Sequence, residues 1–410
     1  MIAELQSPRA RCARAGHERA LVHLTLAFAV LAGAVSPRLA ATAFARPDDG
    51  EGDRIQAAIP LPAPRPGFPR STGGTTISVP PTMADLDLDG RNEIIVVDDL
   101  GRLHAYTAGG EPFGGFTKAI GGVPCGPVAV GDIDNDGYIE IVTLTKTGRV
   151  RVFSSEGAFE AQPRDALPSP PVGGVLLTEL DRSGRLAIVV ATANGQLHAF
   201  DATGVPYPGW PVTGSANAVS GPFAYVGFDN FPRVGYLGDN PARAQVFFTY
   251  AQPDTQASFT PDFAFGPAAP VAGARSTFGL PDAEFLYVLG RQGALRRLDP
   301  DVVNGGTSVT MLASLPDDSV LVSPALMDAT GDLVPELALL AMRGDTLGVY
   351  LLDGATGNPL AGFPRRYLGA QPVGGIVCAD VGDNNAPELI FNHSGDKVSC
   401  VRSNGTSAWI

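Results

Sequence analysis

Two short segments of the chain place an acidic side chain at every second position and then turn at a glycine. DLDLDGRNEIIVV begins at Asp85, and DIDNDGYIEIV begins at Asp132. Numbered from the first acid, each has aspartates at positions 1, 3 and 5, glycine at position 6 and glutamate at position 9. The carboxylates are Asp85, Asp87, Asp89 and Glu93 in the first turn and Asp132, Asp134, Asp136 and Glu140 in the second.

This spacing predicts a calcium site in each turn. Ca²⁺ takes about six to eight oxygen ligands in flexible geometry. Three carboxylates around a glycine turn, a backbone carbonyl at position 7 (Arg91 or Tyr138) and the position 9 carboxylate supply such a set. Asp and Gly also favour turns without any metal, but four like charges within nine residues repel one another unless a cation neutralises them.

An EF-hand is excluded for both turns. That motif needs a glutamate at position 12 and flanking helices, whereas Val96 and Thr143 occupy position 12 and β-branched segments follow.

Other copies of the turn are incomplete. One keeps four candidate oxygen ligands but has no glycine at position 6, namely Asp328, Thr330, Asp332 and Glu336. Another keeps three, with Gly382 at position 3, namely Asp380, Asn384 and Glu388. Both are candidate calcium turns. A third, with Glu179, Asp181 and Ser183, ends in Ala187 and is predicted to be metal-free.

The turns belong to a repeat that extends along the chain. Copies begin at Asp85, Asp132, Glu179, Asp328 and Asp380, and the long gap before Asp328 holds two worn copies around Asp229 and Asp282. Each of the seven copies contains about four short strands within roughly 45 residues, as in a propeller blade. The chain, with 50 Gly and 36 Pro, is predicted to be all-β: a seven-bladed β-propeller of four-stranded antiparallel blades.

The two ends of the repeat predict how the ring closes. The last copy stops at VRSNGTSAWI, which we interpret as the end of its third strand, and Gly67-Phe68-Pro69 precedes the first copy. An N-terminal strand around Pro66 to Gly74 is therefore predicted to complete the last blade, leaving no open sheet edge. Residues 60–410 form the predicted propeller, and residues 46–59 form a polar lead-in.

Residues 1–45 have the pattern of a secretory signal peptide. Several arginines precede the apolar run ALVHLTLAFAVLAGAV, and small residues follow, with cleavage expected near Ala43 to Ala45. A membrane anchor is the alternative, but the run is shorter than the ~20 apolar residues that a span needs. We predict a secreted protein, extracellular or periplasmic, with no membrane span in the mature chain.

Charge and cysteines narrow the possible partners. The formal charge of the 410-residue chain is −13, and loss of residues 1–45 makes it −16. Nucleic acid is not expected as a partner, because its binding depends on Lys and Arg.

The cysteines do not indicate a metal site. Cys125, Cys378 and Cys400 have no metal-type spacing. We predict free thiols, since the register separates Cys378 and Cys400 by two strands.

The repeat resembles the FG-GAP or VCBS-type repeats of the integrin α-chain propeller and its bacterial secreted relatives. DLDLDGRNEIIVV, DIDNDGYIEIV and the Phe265-Gly266-Pro267 element carry the resemblance. It implies a seven-bladed propeller with calcium between the first and second strands of a blade, on the face opposite the one that usually binds ligands. Cell adhesion is a role that this resemblance implies, without naming a ligand.

No catalytic constellation is found, so enzyme activity is not predicted. HExxH and GxSxG are missing. His104 and His198 occupy the same place in LHAY and LHAF and are interpreted as repeat features, and His393 has no obvious partner. Only Trp210 and Trp409 could serve as the tryptophans of a quinoprotein-type propeller, which disfavours that class.

Two functions remain open. The first is an extracellular binding or adhesion module for a glycan or protein, using loops as propellers do; candidate ligand-binding residues are Arg70, Asn217, Arg365, Arg366 and Tyr367. The second resembles calcium-dependent polysaccharide lyases acting on acidic glycans. That chemistry needs a base beside a cation, and the only lysines, Lys118, Lys146 and Lys397, are scattered.

Overall fold

A computed structural model describes most of the predicted propeller and nothing before residue 71. The described residues are 71–73, 76–226, 232–239, 243–253, 271–275, 284–289, 293–300, 307–315, 319–320, 324–332, 334–380, 386–393 and 397–409. All of them belong to one compact unit, Ala58–Ile410. The predicted signal peptide, lead-in and Arg70 lie outside this set, and the domain boundaries stay predictions.

The first three sheets are simple antiparallel meanders in which each strand pairs with the next along the chain. Blade one contains β1 (Thr82–Ala84), β2 (Glu93–Val97), β3 (Arg102–Tyr106) and β4 (Lys118–Ala119). Blade two contains β5 (Ala129–Gly131), β6 (Glu140–Leu144), β7 (Val150–Ser154) and β8 (Phe159–Arg164). Blade three contains β9 (Pro171–Thr178), β10 (Ala187–Thr192), β11 (Gln196–Phe200) and β12 (Val212–Thr213).

Four further sheets follow. Blade four contains β13 (Asn217–Ala218), β14 (Phe223–Val226), β15 (Pro232–Asp239) and β16 (Arg243–Phe248). Blade five contains β17 (Val271–Arg275), β18 (Glu284–Leu289), β19 (Ala294–Pro300) and β20 (Thr307–Ser314). Blade six contains β21 (Ser319–Val320), β22 (Ala325–Met327), β23 (Glu336–Arg343), β24 (Thr346–Leu352) and β25 (Arg365–Leu368). Blade seven contains β26 (Pro372–Ala379), β27 (Glu388–His393), β28 (Lys397–Arg402) and β29 (Ser407–Trp409).

These sheets confirm the predicted all-β, seven-bladed propeller. Blades four and six vary the pattern in the same way, because their first strand is split into two pieces. Both β13 and β14 pair with β15, and both β21 and β22 pair with β23. No helix in the described part of the chain is long and apolar enough to cross a membrane.

Each junction between neighbouring blades is filled by its own apolar cluster. Ile188 and Val190 of β10 pack with blade two, whereas Val189 on the opposite face of the same strand packs with blade four. The remaining junctions have equivalent clusters, including one in which Met83 of blade one packs against Ile390 and Cys400 of blade seven. The first and last blades therefore meet, and the ring is closed.

The outer strand of the last blade differs from the prediction. The turn at Arg402–Thr406 folds the chain back, and β29 pairs with β28 through Cys400↔Trp409 and Val401↔Ser407. The expectation that the last copy ends after its third strand was therefore wrong. The segment that we expected in this place, up to Arg70, lies outside the described residues. Thr72 just after it accepts a hydrogen bond from Arg102 Nη2 at 2.7 Å.

Near the ring axis the first strands of neighbouring blades approach each other at glycines, with no side chain between the two backbones. A Cβ added to Gly126 would lie 2.5 Å from Gly174 Cα, and one added to Gly173 would lie 2.4 Å from Gly221 Cα. Real Cβ atoms do not tolerate such distances. Glycine is required at these positions by the close approach of the blades, as expected where two backbones meet.

The histidines that the repeat places alike in β3 and β11 differ in their surroundings. His104 Nε2 lies 3.2 Å from the buried carboxylate of Asp98. In blade three Thr192 takes the place of that acid, and the buried His198 Nε2 has no hydrogen-bond partner among the described residues. Burial, with the positive charge of Arg164, lowers the pKa of His198 below its ordinary value. Folding therefore favours the neutral form of His198.

We expect His198→Leu to reduce the decrease in the free energy of unfolding that accompanies a fall in pH. Because the pKa of His198 is lowered by folding, the unfolded chain binds a proton that the folded chain does not. The stability of the wild type should therefore fall as the pH drops through about 6.5. Urea unfolding at pH 7.5 and 5.5 measures the difference, and parallel losses in wild type and variant would contradict the assignment.

Candidate metal centre

The first three acidic turns share one backbone conformation, between the first and second strands of their blades. Position 4 has positive φ in each, 61° at Leu88, 64° at Asn135 and 58° at Arg182. The glycines at position 6 also have positive φ, 88° at Gly90 and 90° at Gly137. Left-handed backbone is unfavourable for residues other than Gly, Asn and Asp, so the turn must be held by other interactions.

Those interactions are hydrogen bonds from backbone N–H groups to the acids. In the first turn, Asp85 Oδ1 accepts from Asp89 N at 3.0 Å and its Oδ2 accepts from Gly90 N at 2.8 Å. Asp89 Oδ1 accepts from Arg91 N at 2.8 Å. The position 1 carboxylate therefore fixes the turn, and the N–H of position 7 is bound by the position 5 carboxylate.

The second turn repeats this network. Asp132 accepts from Asp136 N at 3.0 Å and from Gly137 N at 2.9 Å, and Asp136 accepts from Tyr138 N at 2.8 Å. One ligand atom from each of Asp132, Asp134 and Asp136 lies within 4.8 Å of the others. In the first turn the set with this property is Asp85, Asp87 and Glu93. The structure thus brings together three of the four predicted carboxylates in each turn.

The glutamate at position 9 lies beneath the turn, almost fully buried. Glu93 Oε2 accepts from Leu86 N, and Glu140 Oε2 accepts from Ile133 N, both at 2.9 Å. Burial and the neighbouring aspartates raise the pKa of Glu93. Burial, Asp134, Glu160 and Asp136 raise the pKa of Glu140 to about 7. One oxygen of each glutamate anchors the turn, so the other is available to a cation.

Sequence reasoning missed Glu160, which comes from the outer strand β8. Burial and the charges of Asp134 and Asp136 raise its pKa, which places it in the field of the second turn. No local spacing signals this residue, because only the pairing of β8 in the sheet brings it to the turn.

The turn of blade three keeps the fold with fewer acids. Glu179 Oε1 accepts from Gly184 N at 2.9 Å, and Ser183 Oγ accepts from Arg185 N at 3.3 Å. Position 9 is Ala187, which has no oxygen in its side chain. These hydrogen bonds therefore maintain the shape of the turn even where the set of acids is incomplete. The turn has no carboxylate at position 9, where the complete turns have a buried glutamate.

The turn of blade six has a different shape. Asp328 Oδ1 accepts from Gly331 N at 2.6 Å, so the bond closes at position 4. Glu336 accepts from Ala329 N at 2.6 Å and from Thr330 Oγ1 at 3.2 Å. Asp332 Oδ1 is engaged by Val334 N. Among the described residues, these acids are not gathered as closely as those of the first two turns. In blade seven, Glu388 is buried, and Asn384 lies outside the described residues.

The candidate ligand-binding residues do not form one group in the structure. Asn217 is exposed on β13 of blade four, whereas Arg365, Arg366 and Tyr367 lie on β25 of blade six. Arg366 Nη2 donates to Tyr350 Oη at 3.1 Å. The Tyr367 ring packs edge-on against Phe391 of blade seven, with centroids 5.7 Å apart. Tyr367 therefore contributes to a junction between blades.

His393 and the cysteines have structural surroundings. His393 Nε2 lies 2.7 Å from Ser399 Oγ, and both residues are buried. Cys125 and Cys378 are free cysteines, and burial raises the pKa of their thiols to about 11 and about 12. These two thiols are therefore protonated and unreactive at neutral pH. Cys400 is fully buried.

Comparison with known proteins supports the repeat and the fold. The FG-GAP-like repeat family matches residues 85–143, which contain both complete acidic turns. No curated protein matches the sequence.

Solved structures share the architecture at low sequence identity. BBS1N in complex with ARL6DN, in a crystal soaked with lead, has a TM-score of 0.50 and 12% identity over 82% of this chain and 93% of that chain. The mercury-soaked crystal has a TM-score of 0.51 and 12% identity over 81% and 92%. BamB from Moraxella catarrhalis has a TM-score of 0.46 and 16% identity over 81% and 89%. The likeness to the two BBS1N crystals, at 12% identity, shows the fold alone.

We expect Glu140→Gln to stabilise the protein at pH 8 in the presence of a chelator. Folding raises the pKa of Glu140 to about 7, so the charged carboxylate destabilises the folded state above that pH and the penalty fades as the pH falls towards 4.5. Glutamine retains an oxygen for Ile133 N. Thermal unfolding should show a rise of roughly 3 °C at pH 8 that is lost near pH 4.5.

Glu156→Gln provides the matched control, since Glu156 is an exposed glutamate in the turn after β7. It should have little effect at either pH. A rise of the same size in this control would mean that net charge, and not the buried position, explains the effect.

Proposed function

We propose that this chain is a secreted, calcium-binding β-propeller that acts as a binding or adhesion module for a protein or glycan. The observation that carries the proposal is the pair of complete acidic turns, which share a backbone shape and each bring three carboxylates close together. The match to the FG-GAP-like repeat covers these same turns.

The donor set fits Ca²⁺ well. The turns offer oxygen ligands from carboxylates and backbone carbonyls, which suit a hard cation. Asp85, Asp87, Asp89 and Glu93 would hold one ion, and Asp132, Asp134, Asp136 and Glu140 would hold another, with the carbonyl oxygens of Arg91 and Tyr138 as further ligands. The raised pKa values of Glu93 and Glu140 reflect burial and negative neighbours, and a bound cation would relieve that repulsion.

We propose a structural role for the ion. A divalent cation among the four carboxylates would reduce their mutual repulsion, stabilise each turn against unfolding and fix the ends of the first and second strands. The chain's own residues do the rest, since the position 1 aspartate binds two backbone N–H groups and the position 9 glutamate binds a third. A stiff ring with exposed loops at its faces is a suitable platform for binding.

Binding is favoured over catalysis by the surroundings of the polar side chains. The described histidines are buried in the sheets or at the junctions between them, and Arg366 is engaged by Tyr350. The same fold in BBS1N occurs in a complex with a protein, ARL6DN, which supports a protein as one class of ligand. Secretion is supported by the signal-peptide pattern of residues 1–45.

We expect Asp132→Ala and Asp85→Ala to lower the melting temperature in calcium by roughly 5 °C and to have a smaller effect in chelator, where only the two backbone hydrogen bonds of the aspartate are lost. Ligand binding to the folded state alone adds stability only when the site is intact. Asp181→Ala, in the turn that ends at Ala187, is the matched control and should change both conditions equally. Equal losses in calcium and in chelator for Asp132→Ala would remove the metal assignment.

An array of polysaccharides and matrix proteins tests the binding function. The full chain should be retained on one ligand class in calcium and lose that retention in chelator. Disappearance of an acidic glycan, with unsaturated ends appearing, would instead identify a lyase. Retention that is unchanged by chelator would mean that ligand binding does not depend on the metal.

A further inference from the structure

Exposed apolar side chains gather on the face that carries the acidic turns. In an antiparallel sheet of four strands, the turn after strand one and the turn after strand three lie at the same end. Of the eight exposed large apolar side chains on the described part of the chain, five follow a first or a third strand: Leu88, Tyr138, Phe159, Val205 and Tyr250. The other three, Leu100, Val123 and Leu368, lie at the opposite end. We call the first group the apolar tips.

Neighbouring blades contact one another at or beside several of the turns on this face. A Cβ at Gly184 would lie 3.2 Å from the side-chain nitrogen of Asn135, which joins the acidic turns of blades two and three. Next to Val205, a Cβ at Gly204 would lie 2.3 Å from the carbonyl oxygen of Pro163 in blade two. Beside Tyr250, Ala251 approaches Gly209 of blade three in the same way. The segments that carry Tyr138, Val205 and Tyr250 are therefore connected by contacts across blades two, three and four.

Leu88 is unusual in its residue type as well as its exposure. It has φ of 61° and is 62% exposed, at a position where the second turn has Asn135. Leucine is poorly suited to left-handed backbone, and an exposed leucine adds little to the core. Strain at an exposed position is a feature of functional sites. Tyr138, 70% exposed, projects from the neighbouring turn.

The charge around the tips selects the partner. The acids of the first three turns, together with Glu160, outnumber the arginines there, which are Arg91, Arg182 and Arg185. A divalent ion in each complete turn would still leave four carboxylates with a net negative charge. The face is therefore anionic with or without metal, which favours cationic partners and repels anionic lipid or acidic polysaccharide.

We propose that the apolar tips and the acidic turns form a docking surface for a protein segment that carries both apolar and basic side chains. The apolar side chains of the partner would contact Leu88 and Tyr138, and its lysines or arginines would pair with the exposed turn aspartates. Exposed apolar groups rimmed by charge are typical of protein interaction sites. The inference rests on the proposed binding function and does not require calcium.

The test uses the full chain and a fluorescent peptide built from lysine and leucine. Fluorescence anisotropy in calcium should show saturable binding of this peptide. A peptide with serine in place of leucine and one with glutamate in place of lysine should bind far more weakly. Leu88→Ser with Tyr138→Ser should weaken binding of the lysine–leucine peptide about tenfold.

The matched control is Leu100→Ser with Leu368→Ser, because these side chains are 67% and 70% exposed at the opposite end of the blades. This pair should leave affinity unchanged. Equal weakening by both pairs, no saturable binding, or stronger binding to phosphatidylserine vesicles than to the peptide would overturn the proposal. The calcium-dependent rise in melting temperature, measured on the same samples, shows separately whether the metal assignment stands.

Discussion

The fold depends on the fact that each sheet has two apolar faces and no means of burying both alone. All six residues of Ala187–Thr192 are buried, with Ile188 and Val190 facing one neighbour and Val189 facing the other. A sheet with this pattern is stable only between two others. In the ring every blade has a neighbour on each side, so both of its apolar faces are buried. The strands packed in this way fix the positions of the turns.

Much of this arrangement could be predicted from the sequence, because the sequence is periodic both from blade to blade and within the strands of a blade. The spacing of acids from Asp85 to Asp132 and Glu179 gave the number of blades, and alternating or continuous apolar runs gave the strands. The turn positions also followed from local chemistry, since an acid at position 1 and a glycine at position 6 are adjacent in the same hydrogen-bonded turn.

What could not be predicted depends on contacts between distant residues. The last strand was missed because Ser407–Trp409 pairs only after the turn at Gly405 has closed. The turn at Asp328 kept its acids but moved its glycine, so its hydrogen bond closes elsewhere and the acids stay apart. Glu160 reaches the second turn only through the pairing of β8, which no spacing within the turn can indicate.

The glycines at the ring axis have a consequence for how such a chain can evolve. Gly126 approaches Gly174, and Gly173 approaches Gly221, with no side chain between them that could adjust its length. The separation of the blades at these two junctions is thereby fixed by backbone contact. A side chain at either glycine would force the two first strands apart. These positions at the axis are thus constrained in sequence, while the outward turns are free to diverge.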